Sequence, residues 1–289
     1  MTQPVRIGNE YLTVEVSPLG AEMQSMKTKD GRDWLWDGDS EYWTGRSPIL
    51  FPIVGKAPDD HVEIDGHVYP MAQHGFARRT TFDLTASTPS MCRFELVASD
   101  VTHAVYPFDF LLAIEHSVEG RKLTVAAEVE NRGEADMPFG LGFHPAFLWP
   151  LPGAEGKPHE LVLDNGGEPA LSRLEGGLVP RTLLDSPFKA GRLTVQHSMF
   201  EADAMIFPQG AGNGLTYGVE GGPQLHFTFE NLPNLALWQK VGAPFLCIEP
   251  WHGMAAKAGA GLELSARPST TTLAPGAKAR FAFTVELPA

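Results

Sequence analysis

Cysteine is scarce in this chain: Cys92 and Cys247 are the only two among 289 residues. Both lie close to apolar neighbours, which suits buried, reduced thiols in a cytoplasmic protein, although two cysteines allow one pairing. With 43% hydrophobic residues, a chain of this length needs no disulfide or metal staple to build a core. Long apolar runs are also missing, and no segment reaches the length of a membrane span. Residues 1–6 lack a basic stretch followed by an apolar one, so no signal peptide is expected. Positive charge is in the minority, with 22 basic against 35 acidic residues and a net charge of -13. Such a surface repels nucleic acid and anionic membrane, and both are set aside as partners. Uninterrupted helical periodicity, internal repeats, low-complexity tracts and linkers are absent as well.

Alternation of apolar and polar residues fills the space these absences leave. Leu12, Val14 and Val16 alternate with Thr13 and Glu15, and Pro18-Leu19-Gly20 turns the chain. Residues 62–69 read as a tight hairpin with Asp65-Gly66 as a type I′ turn. Further strands are expected over residues 92–97, 111–118, 123–129, 201–207, 225–229 and 235–239. In the final strand of the chain, Phe281, Phe283, Val285 and Leu287 share a face opposite Arg280, Thr284 and Glu286. Residues 149–198 are rich in Gly and Pro and read as loops and short strands. Many short strands separated by turns predict an all-β sandwich or barrel, here one domain over residues 1–289.

Chemistry concentrates around Cys247-Ile248-Glu249-Pro250-Trp251-His252-Gly253. Phe245 to Ile248 reads as a buried strand ended by Pro250 and Gly253, which leaves Glu249 at its exit beside an indole. Desolvation there raises the pKa of a carboxylate and makes it a usable general base. An exposed or Arg-paired Glu is the competing reading. Residues 45–55 hold two prolines, which argue against a helix and weaken a central strand. Arg46 is the only charge in that segment, either an ion-pair partner or a ligand contact. His74, His144 and Asp203 complete the candidates, each weak in isolation.

Taken in order, Gln73-His74-Gly75-Phe76-Ala77-Arg78, Gly142-Phe143-His144-Pro145 and Ile248-Glu249-Pro250-Trp251-His252-Gly253 resemble the motifs of the aldose 1-epimerases, the galactose mutarotase-like proteins. The segment from Trp43 to Gly55 is similar to the LacX-like branch of that superfamily. The resemblance runs from about Tyr11 to the C-terminal strand. It implies a large antiparallel β-sandwich, an isomerase of a small-molecule sugar, no cofactor or metal, and a monomer or homodimer. It also implies Glu249 as base for the C1 hydroxyl and His144 as acid for the ring oxygen, with the roles reversing on closure. His74, Arg46 and Asp203 would hold sugar hydroxyls or the ring oxygen. Trp238, with one of Trp34, Trp36 or Trp43, would offer an apolar platform, packing in core or rim being the other reading for each. Arg78 and Arg79 read as surface charges or a phosphate clamp, and His252 as ordinary packing or a partner of the base.

Two departures qualify the resemblance. Ala146 stands where galactose mutarotases carry an aromatic, so that wall is wider or filled from elsewhere. Their Asn-Arg pair is here Gly45-Arg46, so sugar preference does not carry over. A non-catalytic sugar-binding protein, a hexose 6-phosphate mutarotase, and a cupin-like isomerase using His74, His144 and Glu249 as metal ligands remain as alternatives.

Overall fold

Alternation along the strands gives each sheet one apolar face, and two sheets close over those faces. The computed structural model describes residues 3–288, so Met1 and Thr2, the start of the segment read above for a leader, lie outside it. The larger sheet has nine antiparallel strands, in the order Arg192–Thr194, Glu160–Leu163, Gly214–Gly218, Gln224–Glu230, Lys278–Glu286, Lys122–Asn131, Phe110–Glu119, Met91–Val97 and Asp83–Thr88. A six-stranded sheet packs against it, with Met205–Phe207, Asn234–Trp238, Phe245–His252, Leu141–Phe143 and Ile49–Leu50 in sequence and Ala146–Leu148 paired to Phe245–His252. The result is an all-β, antiparallel β-sandwich. Among the described residues the one α-helix is the four-residue turn Asp100–His103, and no helix is long and apolar enough to cross a membrane.

The core sits between the sheets. Phe143 meets Phe283 at 5.1 Å and Phe147 meets Phe227 at 5.0 Å between ring centroids, each pair joining one sheet to the other. Phe281, Phe283, Val285 and Leu287 are all buried, as their alternation predicts. The hairpin forms between His61–Ile64 and His67–Pro70, with Asp65 at φ 50° and Gly66 at φ 77°, the left-handed pair that a type I′ turn requires. Cys92 and Cys247 are free and buried.

Two strand expectations are corrected. Residues 201–207 form a strand only over Met205–Phe207; Asp203 precedes it in a bend at φ 64°. More consequentially, the strand that Pro250 was expected to end continues to His252. Ile248 N–H donates to the Pro145 carbonyl at 3.2 Å, and Pro250, two residues on, faces the same edge. The neighbouring chain breaks there, at His144-Pro145, between Leu141–Phe143 and Ala146–Leu148. Pro250 therefore forfeits no ladder bond. Glu249 consequently lies inside a strand, paired with Ala236 on one side and facing the break at His144-Pro145 on the other.

Candidate active site

A strand's two-residue period puts Phe245, Cys247, Glu249 and Trp251 on one face, while Leu246 and Ile248 enter the main core. Three of the residues paired with them across the sheet are small. Ala236 pairs with Glu249, Ala146 with Cys247 and Gly142 with Trp251. Gly142 is required by packing, since a Cβ there would stand 2.5 Å from Trp251 Cδ1. The hollow left above these small residues is a cavity of about 300 Å³, the low end of the range for small-ligand sites.

The cavity gathers His74, His144, Asp203, Trp238 and Glu249, which the sequence singled out. His144 Nε2 lies 3.2 Å from Glu249 Oε2, and both residues are buried. The break at His144-Pro145 is what brings the imidazole over the strand carrying the carboxylate. Trp43 and Trp238 flank this imidazole with centroids at 5.0 and 5.7 Å, and His74 meets it edge-on at 5.9 Å. Trp36 fixes Trp43 from behind by donating its indole N–H to the Trp43 carbonyl at 2.8 Å. The space opposite Ala146 is thus filled from elsewhere: Ala146 is fully buried in a cluster with Trp36, Phe245, Trp43 and Trp238. Gly45 completes this wall, because any Cβ there would run into the Trp43 ring.

Burial sets the electrostatics. Desolvation pushes the Glu249 carboxyl well above its ordinary value, and the nearby Asp203 carboxylate adds to the effect. The Trp251 indole offsets part of the shift, although its N–H makes no hydrogen bond of normal geometry. Burial also lowers His144 to about 3. His74 is lowered well below the imidazole range, first by burial and then by His144 and three arginines. Gly55 N–H donates to His74 Nδ1 at 3.1 Å, so that nitrogen is the acceptor and the ring proton sits on Nε2. His74 is therefore a neutral donor, its Nε2 lying 3.3 Å from the Gln73 side-chain amide. It adopts φ 65°, in the left-handed region that costs a non-glycine residue of order 1–3 kcal/mol.

Several buried polar atoms at this cavity have no partner within the protein: Glu249 Oε1, His144 Nδ1, Trp251 Nε1 and Arg78 Nε. Buried polar groups are ordinarily satisfied. All four belong to residues that line this one hollow, which marks it off from the packed core.

Arg46 is not part of this group. Its guanidinium donates to the Gln24 carbonyl at 2.7 Å, and its backbone N–H, like that of Ser47, is held by the Glu22 carboxylate at 2.7 and 2.9 Å. The arginine at the cavity is Arg78, half-buried and bonded to the Gln73 carbonyl at 2.9 Å, whereas Arg79 is exposed. Reading both as surface charges thus fails for Arg78. Trp34 is a core residue donating to Thr28 Oγ1, and His252 turns away to pack on Phe281. Neither Trp251 nor Arg267 was singled out by sequence as a site residue. Arg267 is buried and holds the Val54, Lys56 and Met254 carbonyls at 2.8 to 3.3 Å, which fixes the wall around Gly55. A larger groove of about 770 Å³ beside Tyr11, Arg32 and Arg121 is more open and has none of these unpartnered atoms.

Comparison with known proteins bears on the family and the fold. The family model described as aldose 1-epimerase matches residues 3–260. A protein named LacX from Lactococcus lactis is 31% identical over 290 residues, covering 94% of this chain and 95% of its own. A solved galactose mutarotase related enzyme from Lactobacillus acidophilus superposes with a TM-score of 0.92 at 25% identity, covering 99% of this chain and 98% of that one. A galactose mutarotase-like protein from Lactobacillus casei gives a TM-score of 0.92 at 28% identity, covering 99% and 100%.

Proposed function

The chain belongs to the aldose 1-epimerase family, and from that premise we propose that it interconverts the α and β anomers of a free aldose. Glu249 accepts the proton of the C1 hydroxyl while His144 gives a proton to the ring oxygen. The bond between C1 and that oxygen breaks, and the C1–C2 bond rotates. Closure then runs the same two transfers backwards on the other carbonyl face. Each well-placed acid or base is worth about 10²–10⁴ in rate.

The observation that carries this reading is the buried His144–Glu249 pair, 3.2 Å apart, with an unpartnered atom on each side chain. His74 Nε2–H serves as a donor to a sugar oxygen, Asp203 as an acceptor, and Trp43 and Trp238 as the apolar walls. We take the chain to act as a single cytoplasmic domain, in keeping with two free cysteines.

The test is anomer exchange by NMR across a panel of aldoses, with Glu249→Gln beside the wild type. Exchange well above the buffer rate that disappears in the variant supports the assignment. Exchange that survives moves the base elsewhere, and sugar binding with no acceleration favours a non-catalytic binding protein. One observation favours a second reading, a hexose 6-phosphate substrate. The Arg78 guanidinium lines the cavity with its Nε unpartnered, and an arginine fork matches a phosphate.

A further inference from the structure

Beside the His144–Glu249 pair, beneath the lining of the cavity, lies a third group that acid–base catalysis leaves idle. Cys247 precedes Glu249 by two residues on the same face of the same strand, and it is fully buried. His144, Cys247 and Glu249 each offer a ligand atom, and these atoms all lie within 4.8 Å of one another. From this juxtaposition we propose that the site takes up a thiophilic divalent cation of the Zn²⁺ class on His144, Cys247 and Glu249, and that the cation excludes the sugar.

Three features support the assignment. Two ligands bound at about 2.0–2.1 Å to a tetrahedral zinc stand about 3.3 Å apart. The 3.2 Å between His144 Nε2 and Glu249 Oε2 is already that edge, so a cation can bridge the pair without moving the backbone. His144 Nε2 and Glu249 Oε2 have no recorded partner but each other, and Glu249 Oε1 and His144 Nδ1 are buried without partners. The donor set of one sulfur, one nitrogen and one oxygen suits zinc, and the cavity supplies the open fourth position. His74 does not belong to this set, because its Nδ1 already accepts from Gly55 N–H.

The charge also balances. The empty site holds a neutral thiol and a carboxyl–imidazole pair with one proton between them. Coordination releases the thiol proton and that shared proton as the dication enters. Thiolate, carboxylate and neutral imidazole then carry two negative charges against the two positive charges of the metal. No net charge is added to a buried site, and no oxidant or reductant is needed. The inhibition, though not the binding, rests on the anomer-exchange reading above.

The experiment uses Co²⁺ as a spectroscopic probe and Zn²⁺ as the inhibitor, on the full chain. Equimolar Co²⁺ is expected to give a thiolate-to-cobalt charge-transfer band that persists in Cys92→Ser and vanishes in Cys247→Ser and Cys247→Ala. Zn²⁺ is expected to inhibit exchange reversibly with a chelator, and removal of the Cys247 thiol to raise the half-inhibiting concentration at least about tenfold. Two cysteine variants guard against one that fails to fold. Absence of the band in wild type, or a band that survives both Cys247 variants, overturns the proposal. So does inhibition that is unchanged without the thiol. If the protein exchanges no anomers, the cobalt band still decides the binding claim by itself.

Discussion

His144 Nε2 and Glu249 Oε2 stand 3.2 Å apart in a site from which most water is removed. At that separation the two titrate as a unit rather than as independent groups. A protonated carboxyl beside a neutral imidazole contains as many protons as a carboxylate beside an imidazolium. Burial favours the first arrangement, as the opposite shifts of Glu249 and His144 show. In the proposed anomer exchange, ring opening uses the second. A sugar whose hydroxyls satisfy the unpartnered Glu249 Oε1 lowers the cost of transferring that proton, so substrate binding and activation become one event.

Because the pair acts together, its members should be non-additive. Glu249→Gln and His144→Gln are each expected to lower anomer exchange by about 10²–10⁴. The double variant should fall little further than either single one. A double loss equal to the product of the two would show that they act separately.

The pH profile follows from the same pair. With His144 lowered to about 3 and Glu249 raised well above the carboxylate range by burial, the proton of the pair sits on the carboxyl and no imidazole titration is expected at the ordinary value. The rate should stay flat through ~6.5, the ordinary imidazole value. It should fall on the alkaline side, where the pair loses its last proton. A steep acid limb centred near ~6.5 in kcat/KM would contradict this.

Stability should depend on pH in the opposite sense to a salt-bridged carboxylate. The Glu249 pKa is raised in the folded state, so between its unfolded and folded values the folded chain binds more protons than the unfolded one. This contribution is therefore complete below the unfolded value and is lost as pH rises through the folded one. Glu249→Gln removes that dependence. The Tm of the variant minus that of the wild type should grow with rising pH, measured by thermal unfolding in a pH series. A difference that shrinks with pH would rule this account out.

Arg78 separates the two substrate readings. Arg78→Met keeps much of the aliphatic stem and removes the guanidinium at the cavity. If a phosphorylated hexose is the substrate, kcat/KM for it should drop at least about tenfold more than for the free sugar, in line with losing a charge-assisted contact worth about 1.5–3 kcal/mol. Equal effects on both sugars would favour the neutral substrate.

Much of this was legible in the sequence, for reasons that differ by residue. The alternation of Phe281, Phe283 and Val285 sufficed to fix their face, since a strand's period is local. Motif order sufficed to bring His74, His144 and Glu249 together. Arg46 escaped because its placement depends on Glu22, whose carboxylate captures two backbone N–H groups at 46 and 47. No local pattern announces such a contact. The end of the strand at Pro250 was misjudged for a similar reason. Proline breaks a ladder only where a neighbour needs its N–H, and the gap opposite is made by His144-Pro145, about a hundred residues away in the chain. Trp43, rather than Trp34 or Trp36, reaches the cavity because Trp36 holds it there, which is a tertiary contact too.

The bond from Gly55 N–H to His74 Nδ1 carries a last implication, for how this pocket can drift over generations of substitution. The donor is a main-chain amide rather than a side chain, and position 55 is itself held to glycine, since its φ is 71° and a Cβ there would stand 2.6 Å from Ala255 Cβ. The direction in which His74 gives its proton is thus written into the path of the chain. On the proposed reading, mutations elsewhere in the lining can retune which sugar fits while the orientation in which a sugar presents an oxygen to that wall stays the same.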